Sequence, residues 1–224
     1  MNRMTVFSKW SGTRLFLALI LAGTVSALTG CDSGGDGDDS GDQDCGENNK
    51  AVVACLGDSI TGDVNDGVPP YPSQLAAMRP NMTIINEGSG GETSGGGASR
   101  INGVLSRDKP CYINILYGAN DVIHGRSVGS VIDNLRYIVQ SAKANQTVPI
   151  LATCLPMAWS HGAFNSGVVN LNNSIRALAD EEGVALVDLY GEFSGREAEL
   201  LLSDGLHPNA AGTVVIAVAF SEKI

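Results

Sequence analysis

The stretch Ala51-Val52-Val53-Ala54-Cys55-Leu56-Gly57-Asp58-Ser59-Ile60-Thr61 decides how this chain is read. Its first six residues are apolar without interruption, as in a strand buried on both faces, and the run stops at Gly57. A glycine at that point permits the tight turn that leaves the strand. Ser59 therefore falls at the carboxyl end of the first strand of a parallel sheet, the edge where open α/β sheets place ligands and chemistry. A serine there can also be a plain helix cap. What the rest of the chain brings beside it settles the matter.

From residue 51 onward strand and helix signals alternate. Met82–Asn86, Cys111–Tyr117, Val148–Leu155 and Val184–Leu189 read as four further short strands. Helices are expected at Ser73–Met78, Ala98–Ser106, Ser127–Ala144, Val168–Glu182, Glu192–Leu202 and Ala210–Phe220. The clearest is Ser127–Ala144, where Val128, Val131, Ile132, Leu135, Ile138, Val139 and Ala142 recur at three- and four-residue spacing. The glycine-rich Glu87–Gly97 reads as a loop between strand and helix, either a linker or a backbone surface that a ligand approaches closely. Five strands alternating with helices predict an α/β fold, a three-layer αβα sandwich on a five-stranded parallel sheet with right-handed crossovers.

The first thirty residues stand apart from this pattern. Arg3, Lys9 and Arg14 precede an uncharged apolar run, Leu15–Leu28, which is too short for a bilayer span and reads as an export signal. It ends in Leu28-Thr29-Gly30-Cys31, which resembles the lipobox of bacterial lipoproteins, with Cys31 as the lipidated residue. Cleavage after Val25-Ser26-Ala27, giving a secreted protein, is the alternative. Residues 31–49 then form an acidic tether rich in Gly, Asp and Ser, with seven acids, no base and no aliphatic or aromatic side chain. Such a segment cannot bury apolar surface and is expected to be disordered. The domain proper is expected over 50–224, and the protein is expected in the cell envelope, held to the membrane by its N-terminal lipid. Within the tether, Asp36, Asp38, Ser40, Gly41 and Glu47 match a calcium-loop spacing, but no helix-forming segment flanks them and the composition produces such spacing readily.

The formal charge is −10, and removing the three leader bases makes it −13. No basic cluster stands out, which argues against nucleic acid as a partner. Cys45, Cys55, Cys111 and Cys154 remain after the lipidation site. An exported protein permits disulfides, and four cysteines allow three full pairings among which the sequence does not choose. Neither C-x-x-C nor H-x-x-x-H spacing occurs, so no metal is expected.

Serine acyl transfer needs a nucleophile, an imidazole base, an orienting carboxylate and donors for the oxyanion. Asp204-Gly205-Leu206-His207-Pro208 supplies an acid and a base three residues apart in one turn, and Pro208 prevents a helix from running back through it. With this motif, four blocks appear in order that together resemble the SGNH branch of the GDSL esterases and lipases. They are Gly57-Asp58-Ser59-Ile60-Thr61, Asn86-Glu87-Gly88-Ser89-Gly90-Gly91-Glu92-Thr93, Gly118-Ala119-Asn120-Asp121 and Asp204-Gly205-Leu206-His207. The resemblance implies a flavodoxin-like SGNH hydrolase fold, with Ser59 as nucleophile and Asp204 and His207 completing the triad. It also implies an oxyanion hole of the Ser59 and Gly91 N–H groups and the Asn120 amide, with Gly88 and Gly90 as neighbouring alternatives to Gly91. The activity implied is hydrolysis of a small-molecule ester, without cofactor, through an acyl-enzyme. Since the base must be a neutral imidazole, activity is expected to fall below roughly pH 6–7. Transfer or removal of acetyl groups on envelope carbohydrate, or a non-catalytic binding role on the same fold, are the alternatives.

Gly125-Arg126-Ser127-Val128-Gly129 also satisfies the G-x-S-x-G elbow of α/β-hydrolases, but that elbow needs a strand directly before it. Ser127 fits better as the cap of the long helix. Asp58 and Asp121 are expected to satisfy loop N–H groups, His124 and His161 to be ordinary loop histidines near the rim, and Met157 and Trp159 to be pocket or loop residues.

Overall fold

A computed structural model of the chain describes residues 44–62 and 67–224. The leader, Cys31 and the calcium-like spacing up to Gly41 lie outside the described residues. Five strands, β1 (Asn49–Gly57), β2 (Thr83–Gly88), β3 (Pro110–Leu116), β4 (Val148–Ala152) and β5 (Ala185–Val187), form one parallel sheet in the order β2-β1-β3-β4-β5. The expected α/β class and three-layer αβα arrangement on a five-stranded parallel sheet are both present. Interior strand β1 is buried from Val52 onward, which is why its sequence is an unbroken apolar run, whereas edge strand β2 is only partly covered.

Helices α1 (Tyr71–Met78) and α8 (Ala210–Ser221) pack together on one face, where Tyr71 stacks on Phe220 with ring centroids 5.2 Å apart. Helices α2 (Ser94–Asp108), α4 (Val128–Ala144) and α5 (Asn165–Glu182) pack side by side on the other. The stripe of α4 buries Val131, Leu135, Ile138, Val139 and Ala142. Ser127 caps this helix by accepting from Ser130 N at 3.3 Å. Short helices α3 (Ala119–Ile123), α6 (Leu189–Phe193) and α7 (Glu197–Leu200) lie in the connections.

Two registers position the site. Gly57 of β1 pairs with Gly88 of β2 and with Leu116 of β3, so these three strands end level. The segments that follow them leave the sheet side by side. The chain winds outward in opposite directions from β1 and β3, so this shared edge is the topological switch point. Gly88 is required by the crowding: a Cβ there would lie 2.2 Å from Gly62 N.

Three expectations need correction. The tether does not extend to residue 49. Cys45 is fully buried and bonded to Cys111, and Asn48 Nδ2 donates to Asn145 O at 2.7 Å, so the fold begins at about Cys45. A covalent bond and side-chain hydrogen bonds order a segment that has no apolar surface to bury. The glycine run is not all loop, since α2 starts at Ser94 and takes Gly95, Gly96 and Gly97 into its first turn. The expected helix at 192–202 is two short helices, α6 and α7. Of the remaining cysteines, Cys55 and Cys154 are free and buried, and burial pushes the Cys55 thiol up to about 12.

Candidate active site

Ser59 occupies the turn after β1, where Thr61 N and Gly62 N both donate to Asp58 O at 3.1 and 2.9 Å. His207 and Asp204 come from the loop between α7 and α8. That loop is closed at its base by an antiparallel bridge between Leu201 and Pro208 and by Leu202 N donating to His207 O at 2.8 Å. Beyond it, Asn209 caps α8 by accepting from Ala211 N and Gly212 N. The result is an aligned series of contacts. Ser59 Oγ lies 2.9 Å from His207 Nε2, and His207 Nδ1 lies 2.6 Å from Asp204 Oδ2. Asp204 Oδ1 accepts from Leu206 N at 2.9 Å and His207 N at 3.1 Å, which fixes the carboxylate plane. Burial opposes the charge on Asp204, but the hydrogen bonds from His207 and from these two N–H groups outweigh it and hold its carboxyl below the ordinary range. An ionised carboxylate on Nδ1 orients the ring so that Nε2 faces the serine.

Gly205 makes this loop possible. Its φ is +71°, and a Cβ would lie 2.0 Å from Ala158 O. The approach is sealed by Ala158 N donating to Gly205 O at 2.9 Å. The 3₁₀ turn that follows, Trp159–Phe164, braces the same loop: Ser160 Oγ donates to Asp204 O at 2.7 Å, and His161 Nδ1 lies 2.7 Å from that oxygen. His161 is thus a partly buried tie rather than an ordinary loop histidine. Nothing in its sequence neighbourhood marks it, because its partner is a backbone carbonyl 43 residues away. Trp159 is 53 % exposed and lines, with Ala198, Leu201 and Ser203, an open depression of about 430 Å³ beside the loop. Met157 is buried.

The second and third blocks meet on the other side of Ser59. Ser89 N donates to Gly57 O at 2.9 Å, and Glu92 N closes a turn on Ser89 O at 3.1 Å, with Gly91 inside it at φ +74°. Gly88 already donates its N–H to Asn86 Oδ1 at 2.9 Å. Asn120, in α3, places its Nδ2 3.1 Å from Glu92 O and 3.3 Å from Asp58 Oδ2. Asp121 latches α2: its carboxylate accepts from Ser94 N and Ser94 Oγ, both at 2.8 Å, satisfying an N–H at the helix N-terminus with a negative charge. Asp58 accepts from Ile60 N at 2.9 Å and is 1 % exposed. Burial, reinforced by the nearby Asp121 and Glu92 carboxylates, raises its pKa to about 7 despite that hydrogen bond. His124 is exposed at the end of α3, and Ser127, the serine of the G-x-S-x-G spacing, is held as a helix cap. Among the described residues no group of three or more His, Cys, Asp or Glu side chains is arranged to hold a metal ion.

Comparison with known proteins places these motifs in context. The model of the GDSL-like lipase/acylhydrolase family matches residues 55–214. The chain is 28 % identical over 166 residues to the esterase TesA of Pseudomonas aeruginosa, covering 71 % of this chain and 81 % of that one. It is 30 % identical over 123 residues to the uncharacterized lipoprotein YqeF of Bacillus subtilis, covering 49 % and 51 %. The crystal structure of a lipase/acylhydrolase from Enterococcus faecalis shares the fold, with a TM-score of 0.70 at 22 % identity over 77 % of this chain and 94 % of that one.

Proposed function

The chain belongs to the GDSL-like lipase/acylhydrolase family of ester-bond hydrolases, and from that membership we propose that it cleaves carboxylic esters of short acyl chain through Ser59, His207 and Asp204. The observation that carries the proposal is the unbroken run from Ser59 Oγ to His207 Nε2 and from His207 Nδ1 to Asp204 Oδ2. Ser59 attacks the carbonyl carbon as His207 takes its proton. His207 then returns that proton to the departing alkoxide, leaving the acyl group on Ser59. Water, deprotonated by the same imidazole, attacks the acyl-enzyme and releases the acid. The N–H groups of Ser59 and Gly91 and the Asn120 amide, which gives up its longer 3.3 Å contact with Asp58 Oδ2, hold the negative oxygen of each tetrahedral intermediate, and such a donor typically contributes about 3 kcal/mol. The choice of short chains rests on the sequence, which inserts no long segment between the blocks to serve as a lipid-covering lid.

A series of p-nitrophenyl esters from acetate upward tests this. Ser59→Ala is expected to abolish turnover, Ser127→Ala to leave it intact, and rates to decline as the chain lengthens. Activity retained in Ser59→Ala overturns the assignment. Lipidation at Cys31 and a place in the cell envelope belong to the same proposal, supported by the Leu28–Cys31 motif and the likeness to a lipoprotein. Loss of metabolic fatty-acid labelling in Cys31→Ala tests it.

A further inference from the structure

One cation gathers the ends of three strands beside the site. Arg100 extends from α2 toward the sheet, and its side chain is 27 % exposed. Its Nε lies 3.0 and 2.9 Å from the two carboxylate oxygens of Glu92, and Nη2 donates to Glu92 Oε2 at 2.7 Å. The same Nη2 lies 2.6 Å from Glu87 O at the end of β2, 2.8 Å from Tyr117 OH just past β3, and 3.4 Å from Gly57 O at the end of β1. Nη1 reaches Glu87 Oε2 at 3.2 Å. Tyr117 OH in turn donates to Glu92 Oε2. Burial and the Glu92 carboxylate push the Tyr117 phenol above its ordinary range, so it stays a neutral donor.

The helix is shaped to admit this cluster. A Cβ on Gly96 would lie 2.5 Å from the Glu92 side chain, and one on Gly97 would lie 2.5 Å from the Tyr117 ring. The glycine run therefore bares the first turn of α2 to two side chains of the protein itself. What Glu92 does with its backbone gives the cluster its consequence. Glu92 N closes the turn that contains Gly91, and Glu92 O accepts from the Asn120 amide. Gly91 and Asn120, the two donors outside the nucleophile's own turn, both depend on where this one residue sits.

We propose that Arg100, Glu92 and Tyr117 form a clamp that positions the Gly91 N–H and the Asn120 amide for the oxyanion, an inference that rests on the ester-hydrolase reading above. No hydrogen bond joins the three side chains to Ser59 or His207, so they are positioning residues. A planar guanidinium serves acceptors in several directions at fixed spacing, which an ammonium does not replicate. Misplacing a preorganised donor by a fraction of an ångström weakens its hold on the transition state more than on the ground state. The clamp therefore acts on kcat.

The test uses the purified full-length protein with Arg100→Lys, Glu92→Gln and Tyr117→Phe. It measures kcat and KM on p-nitrophenyl acetate, the pH profile, the melting temperature, and Ki for a trifluoromethyl ketone, whose serine adduct carries an oxyanion. Tyr117→Phe removes one oxygen and is the variant to rely on if Arg100→Lys does not fold. The expected result is a fall in kcat of about tenfold or more, short of the roughly 10²–10³-fold that losing a donor outright costs. KM should stay within about twofold, Ki should rise in proportion to the fall in kcat/KM, and in the charge-conserving Arg100→Lys and Tyr117→Phe the pH midpoint should not move, since the Ser59–His207–Asp204 contacts are untouched. Folded Tyr117→Phe and Glu92→Gln with wild-type kcat and Ki overturn the clamp while leaving the hydrolase reading in place. A loss of kcat that Ki does not follow also overturns it. A wild-type protein that neither turns over esters nor forms a Ser59 adduct overturns the hydrolase reading and the clamp with it.

Discussion

Asp58 offers the sharpest quantitative test of the site's electrostatics, through Asp58→Asn. The side chain is 1 % exposed, beside Ser59, and its pKa rises from 3.8 to about 7 because burial and the neighbouring Asp121 and Glu92 carboxylates disfavour the charged form. Between about pH 4 and 7 the folded protein thus keeps a proton that the unfolded chain has released. The unfolded state binds fewer protons across that window, so stability falls as pH rises. At 1.36 kcal/mol per unit of pH, the gap amounts to about 4 kcal/mol, reached in full above about pH 7. About 3 kcal/mol of this falls between pH 5 and pH 8.5. The amide of Asp58→Asn keeps a carbonyl oxygen for the Ile60 N–H but has no charge to bury. Urea unfolding of both proteins at the two pH values isolates the contribution, because every other titrating group is common to them. The wild type should lose about 3 kcal/mol more than the variant on going from pH 5 to pH 8.5. Parallel stability curves, differing by less than about 1 kcal/mol across the window, would refute the argument.

Three further outcomes are expected. Cys45→Ser with Cys111→Ser opens a bridge between residues 66 apart in sequence and should cost about 4 kcal/mol in equilibrium unfolding. Room-temperature turnover should survive that change, since the bridge ties the segment before β1 to the first residues of β3 and Ser59 lies beyond the opposite end of β1. Gly205→Ala forces a side chain into a left-handed backbone and against Ala158 O, and should cost about 1–3 kcal/mol or more, with a lower melting temperature and reduced kcat. Asp204→Asn should lower kcat by about 10⁴-fold with little change in melting temperature, because the amide neither stabilises an imidazolium nor enforces the tautomer. A drop of less than tenfold in kinetic assays would remove Asp204 from the mechanism.

The strand pattern, the sheet type and the helix faces were legible in the chain itself, because burial on one or two faces imposes a local period that residues such as Val52–Leu56 and Val131–Ala142 carry. The motif residues were legible for a related reason: Ser59, Asp204 and His207 sit in turns just past a strand end or beside a bridge, and Asn120 in the short helix that follows β3, and such connections have local residue requirements. Only the tertiary structure decided that Cys45 pairs with Cys111, that His161 and Ser160 hold the Asp204 carbonyl, and that Arg100 draws together Glu92, Tyr117 and Glu87. These contacts join residues that no period or spacing relates. A polar side chain finds its partner through the three-dimensional direction of a hydrogen bond, and that direction exists only once the strands have paired in register.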